Sequence, residues 1–357
     1  MKKGEKRIKS IIKALDIWLN ESDALQQAVD QTVNDELFTR HDIAFSLDHI
    51  RASVTEDTLS GWSNKAGADT APIKNKTALC LHAGNLPLVG FQDVMAVLLS
   101  GFNYAGKISR KDQYLLPGFL ELLKENGFGK SIQYSLNLNE YKGLQANVVM
   151  FSGSGGSARE VMDKLSEMDI VARNHKRLIR TAGFSMAYLD RMDDLILSEL
   201  TEAMLRYEGK GCRSVALVVS PFGPEELMDN LGKFAEKYWE KYPPIKKLSP
   251  KTRYRYAYNK ALGKKQQLFR HILIQQNDME LENENIICMV KGDDHECRKR
   301  AESNLMRLQN IYTVNPDINI KGFEDRIAPL NSVQTPPINW QPDGVGPLRW
   351  LVENGQS

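Results

Sequence analysis

Cys212 stands in the run RYEGKGCRSVALVVSP, residues 206–221, directly after a glycine and just before the apolar, β-branched stretch Val215 to Val219. A thiolate at a glycine-rich corner can attack a carbonyl carbon and hold an acyl group as a thioester. The same cysteine can instead fill an apolar pocket as a small hydrophobe. A nucleophile needs donors for the charge that develops on the carbonyl oxygen, and a place for the second reactant. Three other stretches offer such groups. In AGNLPLVG, residues 83–90, Gly84 and Pro87 shape a turn that presents Asn85. Its amide can donate to an oxyanion, or can simply bond the local backbone. In GKISRKD, residues 106–112, Lys107 and Ser109 fall on one side of an extended segment, with Arg110 and Lys111 just beyond. They can hold a ribose or a phosphate, or form an ordinary basic surface loop. In GSGGS, residues 153–157, Gly153, Ser154 and Gly155 separate a strand-like run from a helix-like one. Backbone N–H groups there suit a phosphate. No Gly-Lys-Ser/Thr follows and the last glycine of a dinucleotide fingerprint is missing, so a tight turn without a ligand is an equal reading.

The elements that must position these groups follow from the hydrophobic pattern. Residues 1–70 read as helices: an amphipathic opening with Ile8, Ile11, Ile12, Leu15, Trp18 and Leu19 at helical spacing, then 22–34 and 39–51, the last capped by Thr39. From Thr77 the pattern becomes strand, loop and helix in repetition. TALCLHAG and NYAGKIS read as strands, FQDVMAVLLSG as a helix closed by Gly101, and QYLLPGFLELLKENG as a second helix. ANVVMF (146–151) is a buried-looking strand before GSGGS and the helix SAREVMDKLSEM. Such units predict an α/β protein with a parallel sheet and crossover helices. Residues 169–205 are mixed and end in a helix over MDDLILSELTEAMLRY. SVALVVSP reads as a strand, followed by the helix EELMDNLGKFAEKYWEKY. Residues 244–265 read as a basic loop, HILIQQN and NIICMVKG as strands, 294–309 as a helix, and 312–345 as loops joining short strands. A short helix closes the chain near PLRWLVENG.

Composition narrows the function. At 357 residues the chain can bury a core in two or three lobes. Its net charge of +2 gives no overall field for nucleic acid. No apolar run reaches the roughly 18 residues of a membrane span, and the basic N-terminus lacks the apolar stretch of a signal peptide. The expected location is the cytoplasm, with reduced thiols. Cys80, Cys212, Cys288 and Cys297 form no CxxC pair, and His295 with Cys297 has no matching pair elsewhere, so no metal is expected. Cys80 and Cys288 lie inside strand-like runs and read as core. His175, in RNHKRLIR, reads as part of a solvated basic segment. The run KTRYRYAYNKALGKK can meet the phosphates of CoA or an acidic carrier protein, or can be a solvated face.

Taken in order, the motifs resemble the aldehyde dehydrogenase superfamily: Asn-X-Pro after a strand, Lys-X-Ser, a strand–Gly-Ser–helix unit, then Gly-Cys. AGNLPLVGFQDVMAVLLSG, KISRKDQYLLP and GKGCRSV are most similar to the acyl-CoA reductase family, which includes the LuxC-like fatty-acid reductases. FTRHDIAFSLDHI, YAYNKAL and QPDGVGPLRWL also fit that group. The resemblance implies a Rossmann-type cofactor domain over 1–205 with the N-terminal helices, and an α/β catalytic domain over 206–330. It implies that 331–357 returns to the first domain. It makes Cys212 the nucleophile, Asn85 the oxyanion donor, Lys107 and Ser109 ribose contacts, and Gly153, Ser154 and Gly155 the pyrophosphate turn. Arg110 would favour NADPH by meeting a 2′-phosphate. It also implies an acyl thioester substrate on CoA or a carrier protein, an acyl-transferring partner enzyme, and a homo-oligomer. One departure bears on the direction of reaction. Hydrolytic members of the superfamily carry a Glu upstream of the cysteine, where this chain reads RTAGFSMAYLD. That points to reduction of an acyl thioester to an aldehyde. The alternatives are an aldehyde dehydrogenase forming acid or acyl-CoA, and a non-catalytic acyl-carrying subunit.

Overall fold

A computed structural model describes residues 3–20, 22–68, 75–276, 285–315 and 317–355. The chain divides into two compact units, Met1–Thr181 with Pro337–Ser357, and Ala182–Pro336. The cut after Thr181 corrects the expected boundary at 205. The strand Phe184–Tyr188 pairs with Val215–Ser220, so it and the helix Asp194–Leu205 group with the cysteine loop.

The first unit is built on a five-stranded sheet of β1 (Thr77–Leu81), β2 (Asn103–Lys107), β3 (Ile132–Ser135), β4 (Ala146–Ser152) and β5 (Val171–Arg180). All strands are parallel, in the order β3-β2-β1-β4-β5. Alternation along β1 sends Ala78 and Cys80 to one core and Leu79 and Leu81 to the other, so both faces are covered. The helix Phe91–Ser100 closes on Gly101 at φ +91, where a left-handed residue satisfies the last carbonyls. The helix Lys3–Leu19 docks through Ile8, Ile11, Leu15 and Trp18, with Trp18 packed 4.9 Å from the ring of Phe119. Thr39 caps its helix as expected, its hydroxyl accepting from Asp42 N–H at 3.1 Å.

The second unit carries seven strands: β6 (Phe184–Tyr188), β7 (Val215–Ser220), β8 (Gln266–Phe269), β9 (Ile272–Gln276), β10 (Ile286–Lys291), β11 (Leu308–Thr313) and β12 (Ile327–Pro329). Their order is β12-β11-β6-β7-β10-β9-β8, and only the β8–β9 pair is antiparallel. Two sequence expectations change here. The basic stretch expected to be a loop contains the helix Pro250–Ala261. Pro250 sits at its first position and the Ser249 hydroxyl accepts from Thr252 N–H at 3.0 Å. The helix expected over 294–309 ends at Ser303, and Leu308–Thr313 is a fully buried strand beside β6. Among the described residues no helix is long and apolar enough to cross a membrane.

Candidate active-site elements

In the first unit, β1 lies between β2, which follows it in the chain, and β4, which is reached only after the chain has passed through β3 at the edge. The chain therefore reverses direction between β1 and β4, and in open α/β sheets ligands bind at the carboxyl ends of the strands flanking such a point. All three first-unit motifs follow a carboxyl end of this group: Asn85 after β1, Lys107 and Ser109 at the end of β2, and GSGGS after β4. Gly84 and Ser109 are in direct contact, since a side chain on Gly84 would meet the Ser109 hydroxyl at 2.1 Å. The Asn85 turn and the Lys107–Ser109 loop thus form one surface.

Asn85 is half-buried, and its amide makes no hydrogen bond among the described residues, so it is not spent on the local backbone. Its turn is held from beneath. Leu88, at φ +58, donates its N–H to the buried carboxylate of Asp112 at 3.0 Å. Asp112 lies inside the GKISRKD motif, and its positioning role is not visible from sequence because nothing there says which of its neighbours is buried. Lys107 is half-buried, and burial followed by the nearby charge of Arg110 lowers its pKa. Arg110 and Lys111 are exposed. Ser154 caps the helix Gly155–Glu167, accepting from Ser157 N–H at 3.2 Å. This corrects the helix start from Ser157 to Gly155. Nothing stands within 4 Å of where side chains on Gly155 or Gly156 would project. Together with the absence of acids from the first turn, that leaves the N–H end open to an anion.

His82, three residues before Asn85, is buried and hydrogen-bonded through Nε2 to the Tyr104 hydroxyl at 2.7 Å. Burial pushes its pKa down to about 4, so it stays neutral. The His82 ring occupies the space beside Gly90, where a side chain would meet it at 2.5 Å. His175 is tied locally, by Ala172 O at 2.8 Å and Arg177 Nε at 2.7 Å.

Asp112 gives a pH prediction. Burial pushes its pKa up to about 8 from 3.8, so between those values the folded state holds a proton that the unfolded chain releases. Stability therefore falls as pH rises through that window, by up to about 1.4 kcal/mol per pH unit. His82 acts in the opposite sense below about pH 6.5, so the Asp112 effect is cleanest from pH 6.5 to 8. Asp112→Asn is expected to flatten the decline in urea-unfolding stability over that range. An unchanged slope would refute the assignment.

In the second unit, Cys212 lies in the turn Gly211–Ser214 at the amino end of β7. It is half-buried, whereas Cys80, Cys288 and Cys297 are fully buried. Three consecutive residues before it are left-handed: Tyr207 at φ +55, Glu208 at +58 and Gly209 at +71, followed by Gly211 at +92. Non-glycine residues in that region cost about 1–2 kcal/mol each and persist only where their surroundings hold them. Glu208 supplies the hold. Its Oε1 accepts from Ile245 N–H at 2.6 Å and Lys246 N–H at 2.8 Å, and its Oε2 pairs with Lys210 Nζ at 3.1 Å. Burial alone would raise its pKa, but those donors keep it below the usual value. The Cys212 carbonyl accepts from the Ser185 hydroxyl at 2.8 Å, and Ser185 in turn meets the Tyr312 hydroxyl. Neither Glu208 nor Ser185 was singled out in the sequence. The only signal was an acid immediately before a Gly-Lys-Gly-Cys corner. Among the described residues no cluster of His, Cys, Asp or Glu is arranged to hold a metal ion.

No protein-family profile matches the chain, and no curated protein does. Solved structures do. Aldehyde dehydrogenase 21 from Physcomitrella patens, in complex with succinate, aligns over 99% of this chain and 85% of its own, with TM-score 0.65 and 13% identity. Mycobacterium tuberculosis aldehyde dehydrogenase complexed with NAD+ covers 88% and 74%, with TM-score 0.64 and 14% identity. Bacillus cereus aldehyde dehydrogenase in its NAD+ complex covers 88% and 72%, with TM-score 0.58 and 17% identity. The parallel first sheet, the mixed second sheet and these alignments agree: the chain has the aldehyde dehydrogenase fold.

Proposed function

We propose that the protein reduces an acyl thioester, on CoA or a carrier protein, to the aldehyde, using NADPH and a covalent acyl–Cys212 intermediate. The Cys212 thiolate attacks the carbonyl carbon and forms a C–S bond. The Asn85 amide and a backbone N–H stabilise the oxyanion, each donor contributing about 3 kcal/mol. The carbonyl re-forms as the donor's C–S bond breaks, and the donor thiolate leaves with the electron pair. The nicotinamide cofactor supplies the hydride that brings the acyl carbon to the aldehyde level. Lys107 and Ser109 hold its ribose, and Gly153, Ser154 and Gly155 its pyrophosphate. Cys212 then departs as thiolate and the aldehyde is released. The structural neighbours bound to NAD+ support a nicotinamide cofactor of this class.

The observation that carries the reductive direction is the commitment of Glu208. Hydrolysis of the acyl enzyme needs a free general base for water. The carboxylate in the loop of Cys212 already accepts from two backbone N–H groups and a lysine. The stretch from Arg180 to Asp190 carries no Glu. Adding acyl-CoA and NADPH should therefore give aldehyde with equimolar NADPH loss. Rapid acid formation from aldehyde and NADP+ without free thiol would overturn the reading in favour of a dehydrogenase. No NADPH loss with an acylated Cys212 would favour a carrier subunit.

NADPH is preferred over NADH because Arg110 and Lys111 are exposed beside Lys107 and can meet a 2′-phosphate. Arg110→Ala is expected to raise the KM for NADPH about tenfold, the worth of one charge-assisted contact, with little change for NADH. Equal effects in steady-state kinetics would remove that preference.

A further inference from the structure

The proposed reaction makes no use of the helix Pro250–Ala261. From Lys246 to Lys265 the chain carries eight lysines and arginines and no acid, although its overall net charge is only +2. Positive charge is therefore concentrated on this segment. The inner side of the helix is polar rather than greasy. Thr252 and Asn259 are buried, Asn259 Nδ2 donates to Gln275 Oε1 at 2.6 Å, and Gln266 Nε2 donates to Tyr256 O at 2.8 Å. The outer side carries Lys251, Tyr254, Tyr258 and Leu262, which recur at the three- and four-residue spacing of one helix face.

Exposed tyrosines are unexpected on a helix this charged. Tyr254 is 69% exposed, Leu262 54% and Tyr258 45%. The two rings stack on each other, 6.2 Å apart and 18° from parallel. Arg255 lies 5.7 Å from the Tyr258 ring centre and Lys264 6.0 Å from it. The cations thus order the rings before any partner arrives, which lowers the entropy that binding must overcome. Aromatic side chains and arginine are the residue types enriched at protein interface cores, and a basic field speeds encounter with an acidic surface. A single outward helix face does not enclose a small ligand. Because the rings already stack on each other, they also leave no slot between them for a base, the mode by which aromatics read single-stranded nucleic acid.

We infer that the outer face of helix Pro250–Ala261 docks an acidic protein that delivers the acyl group. The inference rests on the thioester-reductase reading and adds to it the class of donor.

The test measures binding apart from chemistry. Full-length Cys212→Ser protein is titrated against a fluorescently labelled, purified acidic acyl carrier protein in its holo form, by anisotropy at 50 and 300 mM NaCl. Binding is expected at low salt and should weaken at least tenfold at high salt. Arg253→Glu with Lys260→Glu should weaken it a further tenfold or more. Tyr254→Ala with Tyr258→Ala should weaken it at both salt concentrations. All four positions are exposed or at the helix surface, and unchanged thermal unfolding checks that the variants fold. No binding to the unaltered helix, or binding by either double variant as tight as by the unaltered helix, overturns the inference. So does a helix-dependent loss of binding to free CoA or to an oligonucleotide while carrier-protein binding persists. Since the assay protein lacks the thiol, carrier binding without NADPH-linked aldehyde formation by the native protein would refute the reductase reading and leave the docking face standing.

Discussion

Native protein exposed to a panel of acyl thioesters is expected to gain the mass of one acyl group on Cys212, and Cys212→Ser protein to gain none. NADPH-dependent aldehyde formation should fall by roughly 10⁴- to 10⁶-fold in the variant, the upper end being the scale seen when a covalent nucleophile is removed. A serine hydroxyl is far less ionised than a thiol near neutrality, and this loop offers it no free base, because Glu208 is already committed. The other three cysteines are buried, and burial raises the Cys297 pKa to about 12 and that of Cys80 well above its ordinary value. They cannot substitute for the missing thiol. Peptide mapping of the adduct makes the result unambiguous. Wild-type acylation of the Cys212→Ser chain would refute the nucleophile assignment and the proposed function with it.

Much of the architecture that frames this cysteine was legible in the sequence. β1, β2, β4 and β7 are short apolar runs ending in glycine or polar residues, and they fold as read. The motifs after β1, β2 and β4 share one end of a parallel sheet because strand–helix repetition forces that topology. Elements whose character depends on tertiary context were not legible. Leu308–Thr313, LQNIYT, alternates too weakly to declare a strand, and it becomes one because β6 on one side and β12 on the other complete its hydrogen bonds. The helix Pro250–Ala261 has almost no apolar face, so periodicity could not find it; its signal was the Ser-Pro start. β5 was read as a solvated basic segment because Arg173, Lys176 and Arg177 are exposed along an edge strand. The supports of the site were the least visible. Asp112 and Glu208 look like ordinary surface acids until burial gives each a backbone N–H to hold.

The pair of Asp93 and Arg180 sets the second large expectation, a loss of stability on removing either partner. Arg180 ends β5 and Asp93 lies in the first turn of the helix that follows the Asn85 turn. Both side chains are 7% exposed, and two hydrogen bonds join them, Arg180 Nη1 to Asp93 Oδ1 at 2.9 Å and Nη2 to Oδ2 at 2.5 Å. Burial works against the Arg180 charge, and Asp93 more than offsets it. Asp93→Ala leaves a guanidinium stranded in the core, and such a change costs about 3–5 kcal/mol. For a unit of this size that corresponds to a fall in Tm on the order of 10 °C. The cost comes from isolating a charge rather than from the net worth of the pair. Replacing both residues, as Asp93→Leu with Arg180→Met, should therefore recover most of the loss, to within about 1–2 kcal/mol of native. Asp93 Oδ2 is also 4.0 Å from Nδ1 of the neutral His82, whose ring fills the space beside Gly90 at the end of the Asn85 turn. The double variant keeps the packing but removes the charge that faces His82. Its stability should return while the His82 pKa, followed by NMR, drops below its native value, because Asp93 raises that pKa against burial by more than Arg180, which is removed with it, lowers it. A single variant that costs less than about 1 kcal/mol, or a double variant as unstable as Asp93→Ala, would show that the pair does not hold β5 to this helix through its charges.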